Sequence, residues 1–501
     1  MWNFSRNISR NAGESLTAQL QNIVRSEIAQ GVLHPGTPMP STRRLAADLS
    51  VSRSVVVEAY GQLVAEGYLE AVRGSGTRVA RHLAPAGAAS RDQRPEPALP
   101  VSPPAPWIDL RTGGADSTPH FPHREWLASY QRALYAVRPG QLDYPPLAGT
   151  APLREELARY MGRVRGVRTA PEQVMVVSGF AQGLGLLCSV LPHRGAPDMA
   201  VEDPCHQRLR GFVKDAGMRP LPIPVDREGI DVEALARSGA RAVLVTPTHQ
   251  FPTGAVLSGQ RREALLRWAH DVDGWIVEDD HDGDLWFDRA PRPLALQRRA
   301  PDRVVHAGTV SKTLVPGLRL GWLVAPPALF ADLERVRAHR DLGHDVLTQL
   351  AFADLMASGA FDRHLRSTRA RYRGRREALT DALQRHLPEA SLLGAAAGLH
   401  VYVGLPRAAD EEALVAAAQR RGVRLRGGRE FHAAPHRSRP ALVLGYGAHS
   451  RTGLRRAAAE LAAGYAETAA AGSAGSAGSA PKAARKFSNT GSPRGVLMLS
   501  G

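Results

Sequence analysis

The sequence predicts an α/β protein of two unequal parts: a small helical unit closed by a hairpin, and a large domain built on a mostly parallel sheet. Three observations predict it. Residues 14–80 carry three short helical patterns, then two β-rich runs around a glycine-rich tip. Residues 81–106 are rich in Ala, Pro, Ser and Arg with no apolar period, the composition of a flexible linker. Residues 107–465 alternate β-rich runs with helical stretches, as a sheet covered by helices requires. Beyond them, residues 466–501 contain Gly-Ser-Ala repeats and are expected to be disordered.

In the small unit, Leu16, Leu20, Ile23, Val24 and Ile28 recur at helical spacing and give a first amphipathic helix. A turn-rich segment follows, Pro35 to Ser41. Ser41 is placed to cap a second helix, Thr42 to Leu49, and Ser52 a third that runs to about Glu66, where Gly67 can end it. On the third helix Val56, Ala59, Tyr60 and Leu63 face a core, while Arg53 and Ser54 at its start point away. Tyr68–Val72 and Thr77–Ala80 then flank Arg73-Gly74-Ser75-Gly76 as a two-stranded wing. Two helices joined by a tight turn, the second offering its N-terminus, form a helix-turn-helix, whose second helix meets base edges in the major groove.

In the large domain the β-rich runs are Val174–Ser178, Ala242–Thr246, Trp275–Glu278 and Val304–Gly308, with a helix expected from Gln260 to Asp271.

Composition narrows the class. At 501 residues and 43% hydrophobic, the chain can bury large cores. It has no apolar run long enough to span a bilayer and no secretion signal at its start. Two cysteines, Cys188 and Cys205, make no disulfide framework, and no Cys/His cluster has metal-ligand spacing. A cytoplasmic protein is the expectation. The net charge of +16 invites a nucleic-acid reading, yet residues 14–80 hold six Arg against six acids. Placement, not total charge, must carry the DNA argument: Arg43, Arg44, Arg53 and Arg73 are the candidates for phosphate or base contacts. Only four of the 64 basic residues are Lys (Lys214, Lys312, Lys482 and Lys486), so Lys312 stands out.

The run Pro-Gly-Thr-Pro-Met-Pro-Ser-Thr-Arg-Arg-Leu-Ala, then Val-Ser-Arg-Ser-Val-Val-Val-Glu-Ala-Tyr, Glu-Gly-Tyr-Leu and Gly-Ser-Gly-Thr, resembles the GntR-type winged helix over residues 14–80. The resemblance implies a double-stranded DNA operator as partner, contacted by Arg43, Arg44, Ser52, Arg53 and the wing residues Gly74 and Gly76.

Lys312 sits in Thr309-Val-Ser-Lys-Thr, followed by Arg319-Leu-Gly. A lysine amine can form an imine with an aldehyde cofactor. Hydroxyls and an Arg, here Thr309, Ser311 and Arg319, can hold a phosphate. Asp279, at the end of an apolar run, can pair with a pyridinium nitrogen and keep it protonated. Ser178-Gly179-Phe180 follows a strand and opens a helix, whose free N–H groups suit a phosphate. Taken singly, Lys312 is more often a surface lysine, Asp279 a loop acid and Ser-Gly a plain cap; together, in this order, they make a site.

These segments resemble the lysine region of fold-type I pyridoxal-phosphate enzymes. With Thr-Pro-Thr-His-Gln-Phe-Pro-Thr-Gly (246–254), Glu-Asp-Asp-x-Asp (278–282) and Arg-His-Leu-Arg (363–366), the match narrows to the MocR/GabR branch of regulators. That resemblance covers residues 14 to about 465. It implies a fold-type I transferase-like domain with a small C-terminal α+β subdomain. It also implies pyridoxal 5'-phosphate held through an imine on Lys312, a homodimer, and the cofactor itself or an amine or amino acid as the signal. Residues 246–254 occupy the place of the Asn-containing loop that touches the cofactor's phenolic oxygen in aminotransferases, and His249 is the candidate within it. Two positions depart from the family. His281 replaces the usual Tyr, whose hydroxyl meets that oxygen, and His206 replaces the aromatic that stacks on the ring. For a substrate carboxylate, Arg439 and Arg429 are the candidates near the late strand Leu442–Tyr446. A working aminotransferase with a DNA-binding appendage, and a regulator that has given up the cofactor, are the alternative readings.

Overall fold

A computed structural model describes residues 14–72, 76–82, 107–112 and 120–477. The chain divides into two compact units, residues 1–103 and 104–501.

The small unit holds α1 (Leu16–Ala29), α2 (Thr42–Asp48), α3 (Arg53–Ala65), β1 (Leu69–Val72) and β2 (Gly76–Val79). Its core joins Leu20, Val24 and Ile28 of α1 to Leu45 of α2, Val56, Ala59, Tyr60 and Leu63 of α3, and Leu69 and Val79 of the hairpin. The Ser41 hydroxyl accepts from the Arg44 N–H and caps α2, as expected. Ser52 occupies the N-cap of α3, but its hydroxyl bonds to that of Ser54 at 2.8 Å rather than to a helix N–H. The expected turn segment does more than turn. Met39 N–H donates to Thr77 C=O and Val79 N–H to Thr37 C=O, so residues 36–39 run beside β2 and bridge to it at Pro38 and Arg78.

The large unit opens with β3 (Ile108–Asp109), α4 (His123–Ala136), α5 (Ala151–Arg165), β4 (Val174–Val177) and α6 (Phe180–Val190). Next come β5 (Asp198–Asp203), α7 (Gln207–Asp215), β6 (Arg219–Asp226), β7 (Gly229–Ile230), α8 (Val232–Arg237), β8 (Ala242–Val245) and α9 (Gly259–Asp271). After these run β9 (Trp275–Asp279), β10 (Val304–Thr309), β11 (Gly321–Val324), α10 (Pro327–Ala338), α11 (Val346–Ala357) and α12 (Ala360–His386). The chain closes with β12 (Ser391–Leu393), β13 (His400–Gly404), α13 (Glu411–Arg420), β14 (Val423–Arg424), β15 (Arg426–Gly427), β16 (Ala441–Gly445) and α14 (Arg451–Ala477).

The central sheet has the order β4-β11-β10-β9-β8-β5-β6-β7. The pairs from β10 through β6 are parallel, and β11 runs antiparallel to both its neighbours. Strands β4 and β8, and β9 up to Val277, are apolar without alternation because helices cover both sheet faces. One face packs on α6, through residues such as Leu184 and Leu187. The other packs on α5 and α11 at one end, through Leu157 and Phe352, and on α9 at the other, through Leu265 and Trp268. A second sheet, β12-β13-β16-β15, is antiparallel throughout and shares its core with α12, α13 and α14. It is the small α+β subdomain. β3 pairs with β14, tying the start of the unit to its end.

One expectation needs correcting. Residues 466–477 continue α14 rather than begin a disordered tail. Alanine has the highest helix propensity, and an Ala-rich run prolongs a helix that packing has already nucleated. Residues 83–106 of the expected linker and 478–501 of the expected tail lie outside the described residues.

Candidate functional site

A parallel sheet delivers the C-terminal ends of its strands to one edge, and in α/β folds the crevice outside that edge receives ligands. Here a cavity of about 430 Å³ opens at this place. β9 ends at Asp279, β10 leads through Thr309 and Ser311 to Lys312, and β4 leads through Ser178 into α6. Of the residues expected in the site, Phe180, His206, Asp279, His281, Thr309, Ser311, Lys312 and Arg319 line this cavity.

The acid run Glu278–Asp282 shows how the backbone sorts identical charges. Successive strand residues point to opposite faces. Glu278 turns under the sheet, where it accepts from the Leu296 and Gln297 N–H groups and faces His306 at 3.2 Å. Asp280 also turns away from the cavity, into a bidentate pair with the buried Arg165. Asp282 faces His249 at 2.9 Å and His281 at 3.4 Å. Only Asp279 keeps a buried carboxylate oxygen, Oδ1, without a hydrogen-bond partner among the described residues. Burial pushes its carboxyl up to about 6, although His281 pulls the other way. A buried acceptor left unpaired in a cavity is costly unless a ligand donor meets it.

The lysine loop is held tightly. Thr309 Oγ1 bonds to Ser311 Oγ at 2.9 Å and to Leu320 C=O at 3.2 Å. His364, in the Arg-His-Leu-Arg motif on α12, bonds through Nε2 to Thr313 C=O at 2.7 Å, next to Lys312. The Lys312 ammonium itself has no hydrogen bond or ion pair among the described residues. At the start of α6, Arg319 donates to Ser178 C=O at 2.6 Å. Gly179 has φ +84°, and a Cβ there would stand 3.0 Å from the Arg319 guanidinium. Glycine is required both for this backbone conformation and for the close approach. The Ser178 hydroxyl bonds to His344 Nδ1 at 3.1 Å; it and Gly179 sit at the helix entrance, behind the lining residues.

Two expected site residues hold different posts. His206 caps α7, its Nδ1 accepting from Arg208 N–H, while its ring lies 5.7 Å from that of Phe251. Burial, with Arg208 and Arg426 nearby, lowers it to about 4, so the ring is neutral and able to accept. His249 does not line the cavity. It lies buried behind it and meets the site through Asp282 and the ring of His400.

The carboxylate candidates are corrected. Neither Arg439 nor Arg429 lines the cavity. Arg439 is exposed, and the Arg429 backbone is tied to Glu411. Val443, in the late strand, is sealed among Tyr402, Phe431 and Ala441. The guanidinium groups at the cavity are those of Arg208 and Arg319.

Sequence reasoning missed several lining residues. Glu202 ends near the cavity on β5, bonded by Thr246 and Gln250; burial nevertheless pushes it up to about 7. Phe251, Asp282, Arg208 and His400 also line the wall. Glu202 and Asp282 stood inside recognised motifs, and a count of carboxylates at strand ends could have flagged them. His400 comes from β13 of the small subdomain, with no local signal.

The residues present fit pyridoxal phosphate. The Asp279 carboxylate would accept from the pyridinium N–H and Lys312 would bind the aldehyde carbon. The start of α6, with Ser311 and Arg319, would hold the phosphate. Bound there, the cofactor supplies an electron sink for chemistry at an amine carbon.

In the small unit, Arg43, Arg44, Ser52 and Arg53 are exposed at the helix-turn-helix surface. Arg44 makes only a loose contact with Asp48 at 4.0 Å. Two of the acids turn to α1: Glu66 pairs with Arg25 at 2.8 Å and Glu58 accepts from Thr17. Gly76 begins β2 with φ +86°, while Arg73 and Gly74 lie outside the described residues.

Comparison with known proteins agrees with both units. Residues 16–79 match the bacterial regulatory proteins of the gntR family, and residues 106–461 match aminotransferase class I and II. The chain is 33% identical to the probable rhizopine catabolism regulatory protein MocR of Rhizobium meliloti, covering 88% of this chain and 91% of that protein. It is also 33% identical to the pyridoxine biosynthesis transcriptional regulator PdxR of Corynebacterium glutamicum, covering 89% and 95%. Among solved structures, the kynurenine aminotransferase of Pyrococcus horikoshii superposes with a TM-score of 0.66 at 26% identity, over 73% of this chain and 92% of that one. LysN, the α-aminoadipate aminotransferase of Thermus thermophilus, superposes with a TM-score of 0.64 at 27% identity, over 73% and 94%. The chain therefore belongs to the MocR-type regulators, DNA-binding transcription regulators that join a GntR-family winged helix to an aminotransferase class I and II domain, whose cofactor is pyridoxal phosphate.

Proposed function

We propose that this regulator carries pyridoxal phosphate on Lys312 and reads its state, or its reaction with an amine or amino acid, as the signal that alters operator binding. The observation that carries this reading is Asp279, which lines the cavity with Lys312, Ser311 and Arg319 and whose buried Oδ1 has no hydrogen-bond partner among the described residues. A ligand changes DNA affinity only through different affinity for two conformations. In this reading Arg43, Arg44, Arg53 and the wing at Arg73, Gly74 and Gly76 engage the operator, and Ser52 places the start of α3 on it. The protein works as a cytoplasmic homodimer. Tyr135, Tyr144, Leu127, Leu134 and Leu142 are strongly exposed on α4 and the segment after it, which suits burial against a second copy. No helix among the described residues is long and apolar enough to cross a membrane.

The test is the visible absorption spectrum after adding pyridoxal phosphate, with Lys312→Ala as control, followed by operator binding with and without candidate amines. A band in the wild type that the variant lacks supports the reading. No band in either, with DNA binding intact, would leave the large domain as a dimerising scaffold.

A further inference from the structure

Asp282 Oδ2 is the meeting point of two imidazoles, His249 Nδ1 at 2.9 Å and His281 Nε2 at 3.4 Å. All three side chains are largely buried. We propose that Asp282, anchored by His249, is a positioning residue that holds His281 doubly protonated, so that His281 presents an N–H to the cofactor's phenolic oxygen in place of a tyrosine hydroxyl. This rests on the cofactor reading above.

The argument begins with proton count. An ionised carboxylate only accepts hydrogen bonds, so the His281 nitrogen that faces Asp282 at 3.4 Å is stabilised there with a proton on it. A neutral imidazole has one N–H and would spend it there. Its other nitrogen, the one nearer Asp279, would then offer a lone pair to an oxygen that also carries lone pairs, and the two would repel. Only the imidazolium satisfies Asp282 and still has a donor left for a ligand. A tyrosine needs no such help, because its hydroxyl donates while neutral. Replacing it by His281 therefore makes the neighbouring carboxylate part of the device.

The surroundings favour the charged ring. Asp279 Oδ2 lies 4.0 Å from His281 Nδ1. The groups that face His281 from packed segments are Asp279 and Asp282 from its own strand end, Lys312 from the loop after β10, His206 from α7 and His400 from β13. Burial and Lys312 oppose a charge on His281, but the two carboxylates outweigh them and raise it to about 9. Burial drives His400 down to about 3, and its Nε2 donates to Pro252 C=O at 3.0 Å, so it adds no competing charge. Asp282 is held well below the usual carboxylate range by His281 and His249, against the effect of burial.

The cluster is also shaped by close packing. Gly398 has φ +65°, and a Cβ there would collide with the Asp282 carboxylate and the His249 ring. The small subdomain thus closes over the carboxylate and keeps solvent from competing for it.

Two measurements test the proposal. The first follows the Cε1–H signal of His281 by NMR in cofactor-free protein labelled at histidine, over pH 5 to about 10. The wild type should titrate near pH 9, Asp282→Asn should shift that downward by about one unit or more, and Asp282→Glu should restore part of it. His249→Gln, which keeps a side-chain amide donor, should give a smaller downward shift and serves if Asp282 variants do not fold. The second follows the visible band of the cofactor-loaded protein. Its alkaline transition should move with the His281 titration, and His281→Tyr should make the spectrum insensitive to Asp282→Asn. A wild-type His281 titrating near 6.5, or one unmoved by Asp282→Asn, overturns the proposal. Failure to form any visible band while the NMR shift appears would instead defeat the cofactor reading and leave the Asp282 arrangement standing.

Discussion

The two units use their charges in opposite ways. On the helix-turn-helix, Arg43 and Arg53 stand exposed, while Glu66 and Glu58 turn onto α1 to meet Arg25 and Thr17. In the cavity, His281 lies 3.4 Å from Asp282 and 4.0 Å from Asp279, Asp279 bears on the charge of Glu202, and all four are largely withdrawn from water. Exposed charges in water interact weakly and are free to meet a partner's phosphates. Buried charges perturb each other and must be sorted by the fold, or they destabilise it. A surface site can thus be composed on one helix, while an interior site needs several strands to converge.

The contrast can be broken or sharpened by substitution. The largest effect is expected at Asp280→Ala, which strands the buried Arg165 without its carboxylate. It should destabilise the large unit by about 3–5 kcal/mol in denaturant unfolding, whereas Asp279→Ala, which breaks no direct hydrogen bond and only a 4.0 Å contact with His281, should unfold much nearer the wild type yet hold pyridoxal phosphate far more weakly. Equal stability losses at both positions would mean that the sorting of the acid run is misread. Next comes Leu63→Ala in the fully buried core of the small unit, expected to cost about 2–5 kcal/mol. A transition in that unit that moves alone, with the large unit unchanged, would show that the two fold independently.

Arg53→Ala should leave stability intact and cost about 1–3 kcal/mol in operator binding if the side chain reads a base. A loss that is the same on every DNA sequence would place it on phosphate instead. The smallest effect separates two serines that look alike in the chain. Ser41→Ala removes a cap and should cost about 1 kcal/mol of stability. Ser52→Ala removes a hydroxyl that caps nothing, so its stability change should be close to zero, with any loss appearing in DNA binding. Equal stability losses at the two would erase the distinction.

Much of this architecture was legible before any coordinates. Val174–Val177, Ala242–Val245, Trp275–Asp279 and Val304–Thr309 form strands where apolar β-rich runs stood, and α9 covers the expected helix. The helical spacing of Leu20, Val24 and Ile28 pointed to a core that they do form. Periodicity is a local property, and the apolar face it marks has to be buried somewhere. The motif around Lys312 was equally visible, because its hydroxyls and lysine are neighbours in the chain. The end of α14 was not: a Gly-Ser-Ala composition resembles a linker, and the helix persists because it grows from a packed one.

What the sequence determined by itself was therefore the elements of the small unit, several strands of the central sheet, the two-part organisation and the identity of the lysine segment. What only the tertiary structure decided was the company each group keeps. It moved His249 behind the cavity, turned Asp280 onto Arg165, left Asp279 Oδ1 unpaired, brought His400 to the wall and left Arg439 outside it. These outcomes depend on strand order and on which face of a strand a residue occupies, in a sheet whose neighbours lie far apart in the chain. A side chain's local pattern says that it can carry charge or donate a proton. Its pKa and its partner are set by groups that only folding brings within a few ångströms.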